Sequence, residues 1–563
     1  MRFIILFFII ITTTVNAQKE YPKDLFRPPL DIPLLLSGTF GELRSNHFHS
    51  GIDIKTQQRE GLSIFSVGDG YVSRIKVSPW GFGKALYVTH ANGRYTSVYA
   101  HIQKFSPEIE AYVKKLQYKK EAYDLEVFPD KNKFAIKKGE LIAFSGNTGG
   151  SAGPHLHFEL RDASQRPMNP LHFGMKIKDT KAPTILGLHG YSIDDKAQIN
   201  QSNTPIQINI NKQGNATFLA DKVYAIGKIG FGIHSYDNQD YTTNKNGVYA
   251  VEMSVNGTPY FSYDFEKFSF SETRYINAFI DYEKYKSEQY RVQKCFISPN
   301  NPLSIYHYKI DNGILDIKEG LQYVVEIKVR DFKGNESIIN IPVEGKQLET
   351  LQKTEPAITD TFLKASVDNN YELEKASVFF PANTFYEGFY LNISKNDSTL
   401  IVHNDKIPVH KNFTINFDVS SYNEEERKKL IIARIDEEGH LVYEETSKRG
   451  TSLRTRTRNL GVYTLAMDTI APEIIPVNFK KEKWLNDSNY LKVRIKDDFS
   501  GISDYRATIN GKWILMEYEP KKDMLIYDLN DIEFEDTEHN LKIIVTDNAG
   551  NSTTFTSKLF RKN

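Results

Sequence analysis

The chain has 563 residues, with 71 Lys and Arg against 71 Asp and Glu, 40% hydrophobic residues and 12% aromatic residues. At roughly 150 residues per domain, this length predicts about three or four domains. The balanced charge excludes the basic excess of a nucleic-acid-binding protein, so no nucleic-acid partner is expected. The hydrophobic content excludes a largely disordered chain.

The N-terminus has the three parts of a secretory signal peptide, predicted over residues 1–17. Arg2 supplies a positive start, an apolar run follows, and Ala17 ends a small-residue cleavage site. The run of about nine apolar residues is far below the ~20 needed to span a bilayer. We therefore expect an exported mature protein without an integral membrane span, in the periplasm, the cell envelope or the medium. Residues 18–36, rich in Pro and Leu, predict an extended arm.

Cys295 is the only cysteine. A single thiol excludes an internal disulfide and a thiolate-rich zinc site, so any metal must be held by His, Asp or Glu. Its stretch, RVQKCFIS, alternates in polarity and predicts a small, buried strand residue.

Residues 37–175 predict a compact antiparallel β domain, because they are dense in Gly, Val, Ile and aromatic residues in short alternating runs. The segment ALYVTHANGRYTSVYAH predicts a hairpin that turns at Asn92-Gly93. An insert of about residues 105–134 follows. Its segment SPEIEAYVKKLQYKKEAY predicts a helix with Ser106 as N-cap and Pro107 at the first helical position. We expect the insert to form a wall or lid beside a groove.

After residue 175 the pattern is mainly β, and one set of motifs occurs twice. DTKAPTI at 179–185 returns as DTIAPEI at 468–474, and VRDFKGN at 329–335 returns as VTDNAGN at 545–551. Asn256-Gly257 is matched at the same spacing by Asn510-Gly511. The repeat predicts a β-sandwich module used twice, at 179–345 with insertions and at 468–563.

Between the two copies, residues 352–467 predict a further β-rich module with one short helix at NEEERKKL. The repeated modules resemble the immunoglobulin-like domains of exported bacterial proteins. Their Asp-x-x-Gly-Asn turns and Asp497-Asp498 lack the ligand spacing of an EF-hand loop. We therefore expect these aspartates to be solvated turn residues.

Histidines suggest chemistry in the N-terminal domain. In GPHLHFEL, His155 and His157 share one face of a predicted strand. Such a pair can bind a metal, can divide metal binding and proton transfer between its members, or can simply be polar residues on an exposed face. In FHSGID, His49, Gly51 and Asp53 would line one face of a strand, with the glycine leaving room for an ion. His49 and Asp53 can then reach one atom, or can form a plain hydrogen bond. His101 ends the hairpin strand, on the face that also carries Tyr99.

The ordered motifs FHSGID, YVTHANG, YAHI and GNTGGSAGPHLHFELR resemble the zinc metallopeptidases of the M23 family, the lysostaphin/LytM-type peptidoglycan endopeptidases. The resemblance covers roughly residues 38–170. It implies that one Zn²⁺ per chain is held by His49, Asp53 and His157, and that His101 and His155 are catalytic. Three protein ligands leave an open fourth position, as in catalytic zinc sites. Which of His101 and His155 acts as general base is left open.

The resemblance implies an exported zinc endopeptidase that hydrolyses peptide cross-links of bacterial peptidoglycan. The alternatives are a non-enzymatic wall-binding regulator or activator of another hydrolase on the same fold, and a peptidase for another extracellular protein. Tyr99, Gly149 and Gly150 are expected substrate contacts. Phe40 and Phe48 stand where family members often carry a tyrosine that helps hold the oxyanion. An envelope protein is expected as a further partner, bound through the C-terminal β modules.

Overall fold

The computed structural model describes residues 21–349, 358–480, 485, 488–531 and 537–561. The predicted signal peptide lies outside these residues. Over the described part the chain is mainly β, as predicted. No helix in this part is both long and apolar enough to cross a membrane.

The N-terminal domain is built on an 11-stranded sheet and a small two-stranded sheet. Its strands are β1 (Leu36–Gly38), β2 (Leu43–Arg44), β3 (His47–Phe48), β4 (Ile52–Lys55), β5 (Ser63–Phe65), β6 (Gly70–Val77), β7 (Lys84–His90), β8 (Tyr95–Phe105), β9 (Leu125–Val127), β10 (Ala135–Ile136), β11 (Leu141–Ser145), β12 (His155–Asp162) and β13 (Pro167–Met168). The main path of the larger sheet runs β1-β4-β12-β8-β7-β6-β10, with antiparallel neighbours.

Strand register brings the predicted site residues together. Asp53 on β4 pairs with His157 on β12, and His157 pairs on its other side with Ala100 on β8. Directly opposed residues of antiparallel strands place their side chains on the same face. The two motifs, 104 residues apart, are therefore neighbours by backbone pairing alone.

The predicted hairpin is formed by β7 and β8, which pair from His90 and Tyr95 onward. The turn is longer than the two-residue turn expected from Asn92-Gly93. Four residues connect the strands, and Asn92 has a left-handed φ of 57°.

The predicted helix is α1 (Pro107–Lys120), with Pro107 at its first position and Ser106 as N-cap residue. Ser106 makes no side-chain capping bond. Ile109 and Val113 are buried against the domain.

The first module (residues 179–345) contains a 13-stranded sheet and two short helices. They are β14 (Thr184–Ser192), β15 (Gln198–Ile199), β16 (Ile206–Ile208), β17 (Ile210–Lys212), β18 (Thr217–Ala220), β19 (Val223–Tyr236), β20 (Ala250–Val255), β21 (Thr258–Asp264), α2 (Ile276–Phe279), α3 (Tyr282–Glu288), β22 (Gln293–Lys294), β23 (Tyr306–Lys309), β24 (Leu315–Ile317), β25 (Gln322–Arg330) and β26 (Glu336–Gly345).

One hydrophobic core runs through the N-terminal domain and the first module. The rings of Phe40 and Phe268 lie 5.0 Å apart, and those of Phe48 and Phe265 lie 5.4 Å apart. Phe40 and Phe48 are thus core residues of this junction. Cys295 is fully buried as predicted, but it lies in a bend just after β22 rather than within a strand.

The middle module (residues 358–467) has two five-stranded sheets that enclose one core. Its elements are β27 (Phe362–Leu363), β28 (Asn369–Leu373), β29 (Ala376–Phe380), β30 (Phe389–Tyr390), β31 (Ile393–Lys395), β32 (Thr399–Val402), β33 (Phe413–Asp418), α4 (Glu424–Lys429), β34 (Leu430–Ile435), β35 (Leu441–Glu444), β36 (Ser447–Arg449), β37 (Ser452–Thr457) and β38 (Gly461–Met467). The predicted helix α4 begins with a capping box between Asn423 and Glu426.

The last module (residues 468–561) has two four-stranded sheets around a third core. Its strands are β39 (Glu473–Pro476), β40 (Tyr490–Lys496), β41 (Ile502–Ile509), β42 (Lys512–Trp513), β43 (Glu517–Glu519), β44 (Met524–Asp528), β45 (Glu538–Asp547) and β46 (Ser552–Phe560). Short 3₁₀ turns occur at Ala91–Gly93, Pro170–Phe173, Thr273–Tyr275, Ile310–Gly313, Pro520–Lys522 and Leu529–Asp531.

The repeat is visible in the backbone. Asn256-Gly257 and Asn510-Gly511 form two-residue turns with the same φ values, 50° and 79°. Both residues of such a turn need positive φ, which Asn and Gly adopt most readily. The expectation of solvated turns is wrong for Asp331 and Asp547, which are only 3% and 1% exposed.

The last module packs against the N-terminal domain. Buried Lys84 forms a 3.0 Å ion pair with Glu517. Lys521 donates hydrogen bonds to the carbonyl oxygens of Asn147 and Ser151, in the loop that leads to β12. The ring of Trp513 lies 5.4 Å from that of Tyr118 on α1.

Candidate metal centre

Three donor atoms from the predicted ligands converge on one point. Asp53 Oδ1 lies 3.1 Å from His49 Nε2 and 2.9 Å from His157 Nδ1, and the two nitrogens are 3.0 Å apart. All three side chains are buried. Two imidazole nitrogens and a carboxylate oxygen at such spacing form the donor set of a transition-metal site.

His49 reaches the centre from outside a strand. It lies between β3 and β4, and its backbone exchanges hydrogen bonds with Glu42 and Gly41. The proposed sharing of one strand face by His49 and Asp53 is therefore wrong. Gly51 is needed for a different reason from the one expected, because a Cβ there would lie 2.4 Å from the carbonyl oxygen of Phe158.

Outer hydrogen bonds fix the orientation of both rings. His49 Nδ1 donates to the carbonyl oxygen of Thr39 at 2.7 Å, and His157 Nε2 donates to Glu159 Oε1 at 3.0 Å. With these protons placed, His49 Nε2 and His157 Nδ1 present lone pairs to the centre in the neutral rings. Arg44 donates to the other oxygen of Asp53 at 3.0 Å. The residues present therefore fit a divalent metal ion.

Charged pairs set the protonation of the groups in the centre. Burial favours neutral carboxyls, but the charge of nearby His49 and hydrogen bonds from the histidines outweigh it and hold the pKa of Asp53 well below its usual range. Likewise, burial opposes ionisation of Glu159, yet Arg161 and His157 lower its pKa to about 2. Burial lowers the pKa of His157, but the carboxylates of Asp53 and Glu159 raise it by more. The result is a pKa of about 9. A field that attracts a proton to His157 also attracts a metal cation.

Glu159 is a functional residue that the sequence reasoning missed. It is fully buried and accepts hydrogen bonds from Ser50 (2.5 Å), Arg161 (2.6 Å) and His157. The available signal was the alternation in HLHFELR, which puts residues 155, 157, 159 and 161 on one strand face. An acidic residue two positions after a ligand histidine is placed to orient it.

Replacing Glu159 by Gln is expected to weaken zinc binding by about 10–100-fold, since the outer acceptor that orients His157 and raises its basicity is lost. Competition with a zinc-sensitive dye measures this affinity. Asp162→Asn, at the outer end of the same strand, is the matched control and is expected to bind zinc as the wild type does. Equal affinities for Glu159→Gln and the wild type would contradict this role.

His101 reaches the centre through a backbone irregularity in β8. Its φ is +59°, and the register of β8 against β7 and β11 shifts around it. Regular alternation would place His101 on the face of Tyr99, as expected from the sequence. The bulge instead turns the ring toward the metal centre, 4.8 Å from His155 and 6.0 Å from His157 between ring centroids.

His101 and His155 are held in the same manner. Nδ1 of His101 donates to the carbonyl oxygen of Thr148 at 2.8 Å, and Nδ1 of His155 donates to that of Gly153 at 2.8 Å. Each ring is thus fixed with Nε2 available. His155 Nε2 lies 3.5 Å from Asp53 Oδ1. Burial, with neighbouring His157 and His155, lowers the pKa of His101 to about 3, so this ring is neutral near pH 7.

A groove of about 1260 Å³ opens over the centre, and among the residues that line it are Gly150, Ser151 and Tyr241. Tyr99 is not a substrate contact: it is fully buried, and its hydroxyl bonds to Val67 and Ser97.

Two further expectations about the groove need correction. Gly149 is buried against Gly83, whose amide nitrogen would lie 2.3 Å from an added Cβ. No residue of the insert at 105–134 lines the groove, so the insert is neither its wall nor its lid.

The remaining histidines of the domain have separate surroundings. His90 bonds to the Asp69 carbonyl and to Ser97, and His172 stacks on Tyr21. His47 is exposed and lines the groove.

Residues 47–118 and 128–170 match the profile of Peptidase family M23, and residues 360–468 match the Zu5-like domain. Curated relatives include an uncharacterized metalloprotease of Haemophilus influenzae, 33% identical over 163 residues, which are 28% of this chain and 29% of that protein. DD-carboxypeptidase/endopeptidase Mpg of Neisseria meningitidis is 33% identical over 129 residues, 23% of each chain. Peptidoglycan DD-endopeptidase ShyB of Vibrio cholerae is 31% identical over 129 residues, 23% of this chain and 24% of that one. The chain thus spans about a quarter of the length of these relatives.

Among solved structures, the catalytic domain of EnpA from Enterococcus faecalis is 23% identical, with 26% of this chain and 98% of that one covered and a TM-score of 0.20. The catalytic domain of lysostaphin from Staphylococcus simulans is 21% identical, with 24% and 90% covered and a TM-score of 0.19.

Proposed function

We propose that this chain, in which residues 47–118 and 128–170 match Peptidase family M23, is an exported zinc endopeptidase that hydrolyses peptide cross-links of bacterial peptidoglycan. The convergence of His49, Asp53 and His157 within about 3 Å of one another is the observation that carries the proposal. Relatives named as peptidoglycan DD-endopeptidases support the substrate.

His49, Asp53 and His157 would hold one Zn²⁺. When bound, the ion supplies Lewis acidity and lowers the pKa of a water molecule to about 7. The rings of His49 and His157 are already oriented by Thr39 and Glu159. Little rearrangement is therefore needed when the ion binds.

His101 and His155 move protons in this proposal. Each is anchored through Nδ1 to a backbone carbonyl and presents Nε2 toward the centre. One ring takes the proton of the attacking water. The other, protonated at Nε2 as well, donates a hydrogen bond to the oxyanion of the tetrahedral species and gives that proton to the departing amine. With Tyr99 buried, we assign the hydrogen bond to the oxyanion to the ring that is not the general base.

The other parts of the chain have separate roles in this proposal. Tyr241 of the first module lines the groove together with residues of the N-terminal domain, so both domains would contact a bound peptide. No described residue of the middle module lines the groove, and we assign that module to spacing or to docking of an envelope protein. Export through the sequence at residues 1–17 would bring the enzyme to its substrate.

Digestion of purified sacculi by the chain from Gln18 onward tests this function. We expect cross-linked muropeptide dimers to be converted to monomers, with loss of activity after chelation and recovery with about one equivalent of Zn²⁺ per chain. Mass analysis of the released muropeptides shows which bond is cut.

Two results would overturn the proposal. Dimers that persist with a zinc-loaded chain would exclude wall hydrolysis. Release of muropeptides only when a second hydrolase is added would favour a regulator. Casein and a Gly-rich protein, digested in parallel, reveal a different peptide substrate.

A further inference from the structure

Each repeated module contains three aspartates whose carboxylate oxygens lie within 4.8 Å of one another. In the first module they are Asp179, Asp237 and Asp331, which are 7%, 4% and 3% exposed. In the last module they are Asp468, Asp497 and Asp547.

The two clusters occupy the same places in the repeated fold. The first aspartate lies five residues before the start of β14 or β39. The second directly follows the partner strand, β19 or β40, and the third lies at the hairpin β25–β26 or β45–β46. Asn335 links the third aspartate to the backbone of the first, and Asn551 does the same in the other copy.

Unpartnered polar atoms point to a missing partner at the first cluster. Asp237 Oδ1 and both amide atoms of Asn246 make no hydrogen bond, although Asn246 is only 2% exposed. Asp179, Asp237 and Asn246 line one internal cavity of about 20 Å³, which is enough for a single ion or water. Buried polar groups without partners are costly, so these atoms call for a bound ion or an ordered water in the cavity.

The equivalent position in the last module repeats this feature. Asn246 precedes Gly247, and Ser500 precedes the matched Gly501. Ser500 Oγ is also unpartnered and the residue is 2% exposed, while its backbone N–H donates to Asp468.

The charges in the first cluster are not balanced by a side chain. Within the described residues none of the three aspartates forms an ion pair with a Lys or Arg. The charge of Lys181 acts on Asp179, but its Nζ lies 3.5 Å from the carbonyl oxygen of Gln239. Three buried carboxylates this close repel one another unless a proton or a cation is bound between them, so the cluster requires one or the other.

We propose that the two aspartate clusters are Ca²⁺ sites, one in each repeated module. The donors are oxygens only, which suits Ca²⁺ and does not suit zinc or copper. A proton shared between carboxylates would satisfy Asp237 but would leave the side-chain oxygen of Asn246 without a partner. A cation can be coordinated by the oxygens of both residues.

In the first module the ion braces a loop that reaches the groove. Asp237 and Asn246 exchange backbone hydrogen bonds at the neck of the loop 238–245. Gln239 in this loop bonds to the carbonyl oxygen of Leu34 and to the amide of Leu36, at the start of β1. Since β1 pairs with β4, Ca²⁺ binding is linked to the edge of the strand that carries Asp53.

Ca²⁺ titration of the EDTA-treated full chain tests the proposal, with Tb³⁺ luminescence as a second probe because Tyr249 lines the first cavity. We expect two bound ions in the wild type, with affinity in the range of extracellular modules, about 10⁻⁴–10⁻³ M. Asp237→Asn and Asp497→Asn should each remove one ion, and the double variant should remove both. Asp195→Asn, an exposed change in the first module, is the control and should retain two.

His157→Ala should also retain two ions, which separates these sites from the zinc centre. Without Ca²⁺, Asp237→Asn should melt at or above the wild-type temperature because one buried charge is removed; with Ca²⁺ at a saturating concentration the order should reverse. Equal Ca²⁺ binding by the wild type and the double variant, or no reversal of melting order, would overturn the proposal and would favour a shared proton.

Discussion

His157→Ala is expected to abolish both zinc binding and peptidoglycan hydrolysis. His157 supplies one of three converging donor atoms and is paired across strands with a second, Asp53. A metal contributes several kcal/mol of transition-state stabilisation, so we expect the rate to fall by roughly 1000-fold or more. Zinc content by mass spectrometry and dimer cleavage in sacculi measure the two effects.

The matched control is His440→Ala, an exposed histidine of the middle module, which is expected to keep one zinc and full activity. The zinc affinity of Glu159→Gln should lie between those of His157→Ala and His440→Ala. At a saturating zinc concentration this variant should have full activity. A His157→Ala protein that retains stoichiometric zinc would show that the ion is bound elsewhere.

His101→Ala and His155→Ala are expected to separate catalysis from metal binding. Neither ring belongs to the converging donor set, so zinc should remain at one per chain. Loss of a positioned proton-transfer group typically costs about 10²–10⁴-fold in rate. The decrease should appear in kcat rather than in KM, because both groups act on the transition state.

The double variant distinguishes joint from independent action. If both rings serve one proton-transfer and oxyanion step, its rate should be little below that of the worse single variant. The limb of the kcat–pH profile that disappears in each single variant identifies the general base. A single variant with the wild-type rate would remove that histidine from the mechanism.

The resemblance to the M23 family, more than spacing alone, assigned His49, Asp53 and His157 as one ligand set, and the structure brings their donor atoms together. His155 and His157 lie on a real strand, β12, and register then places Asp53 opposite His157. The same reasoning gave the wrong environment for His49, which lies outside any strand. The alternation of residues within one strand cannot show which strand will be its neighbour, because pairing depends on the whole sheet.

His101 illustrates a second limit. Alternation along β8 assigned it to the face of Tyr99, and only the bulge with a left-handed φ reverses its direction. Bulges of this kind in non-Gly residues have no reliable sequence signature and often occur beside active sites. The error on Tyr99 as a substrate contact has the same cause.

The repeated modules were recognised from turn residues and motifs, and the matching turn geometry follows from Asn-Gly chemistry. The burial of Asp331 and Asp547 was not predicted. Acidic residues in turns are usually exposed. Asp331 and Asp547 are buried because three strand ends meet around each of them. Likewise, an isolated helix pattern could not indicate that α1 faces the last module rather than the groove.

The contact of Lys521 with the loop at Asn147 and Ser151 joins the last module to the N-terminal domain. A chain synthesised only as far as the middle module would already contain every side chain that we propose for metal binding and proton transfer, yet this loop would lack its outer support. In the proposed function, the cleft is therefore finished only after the last module has folded against it.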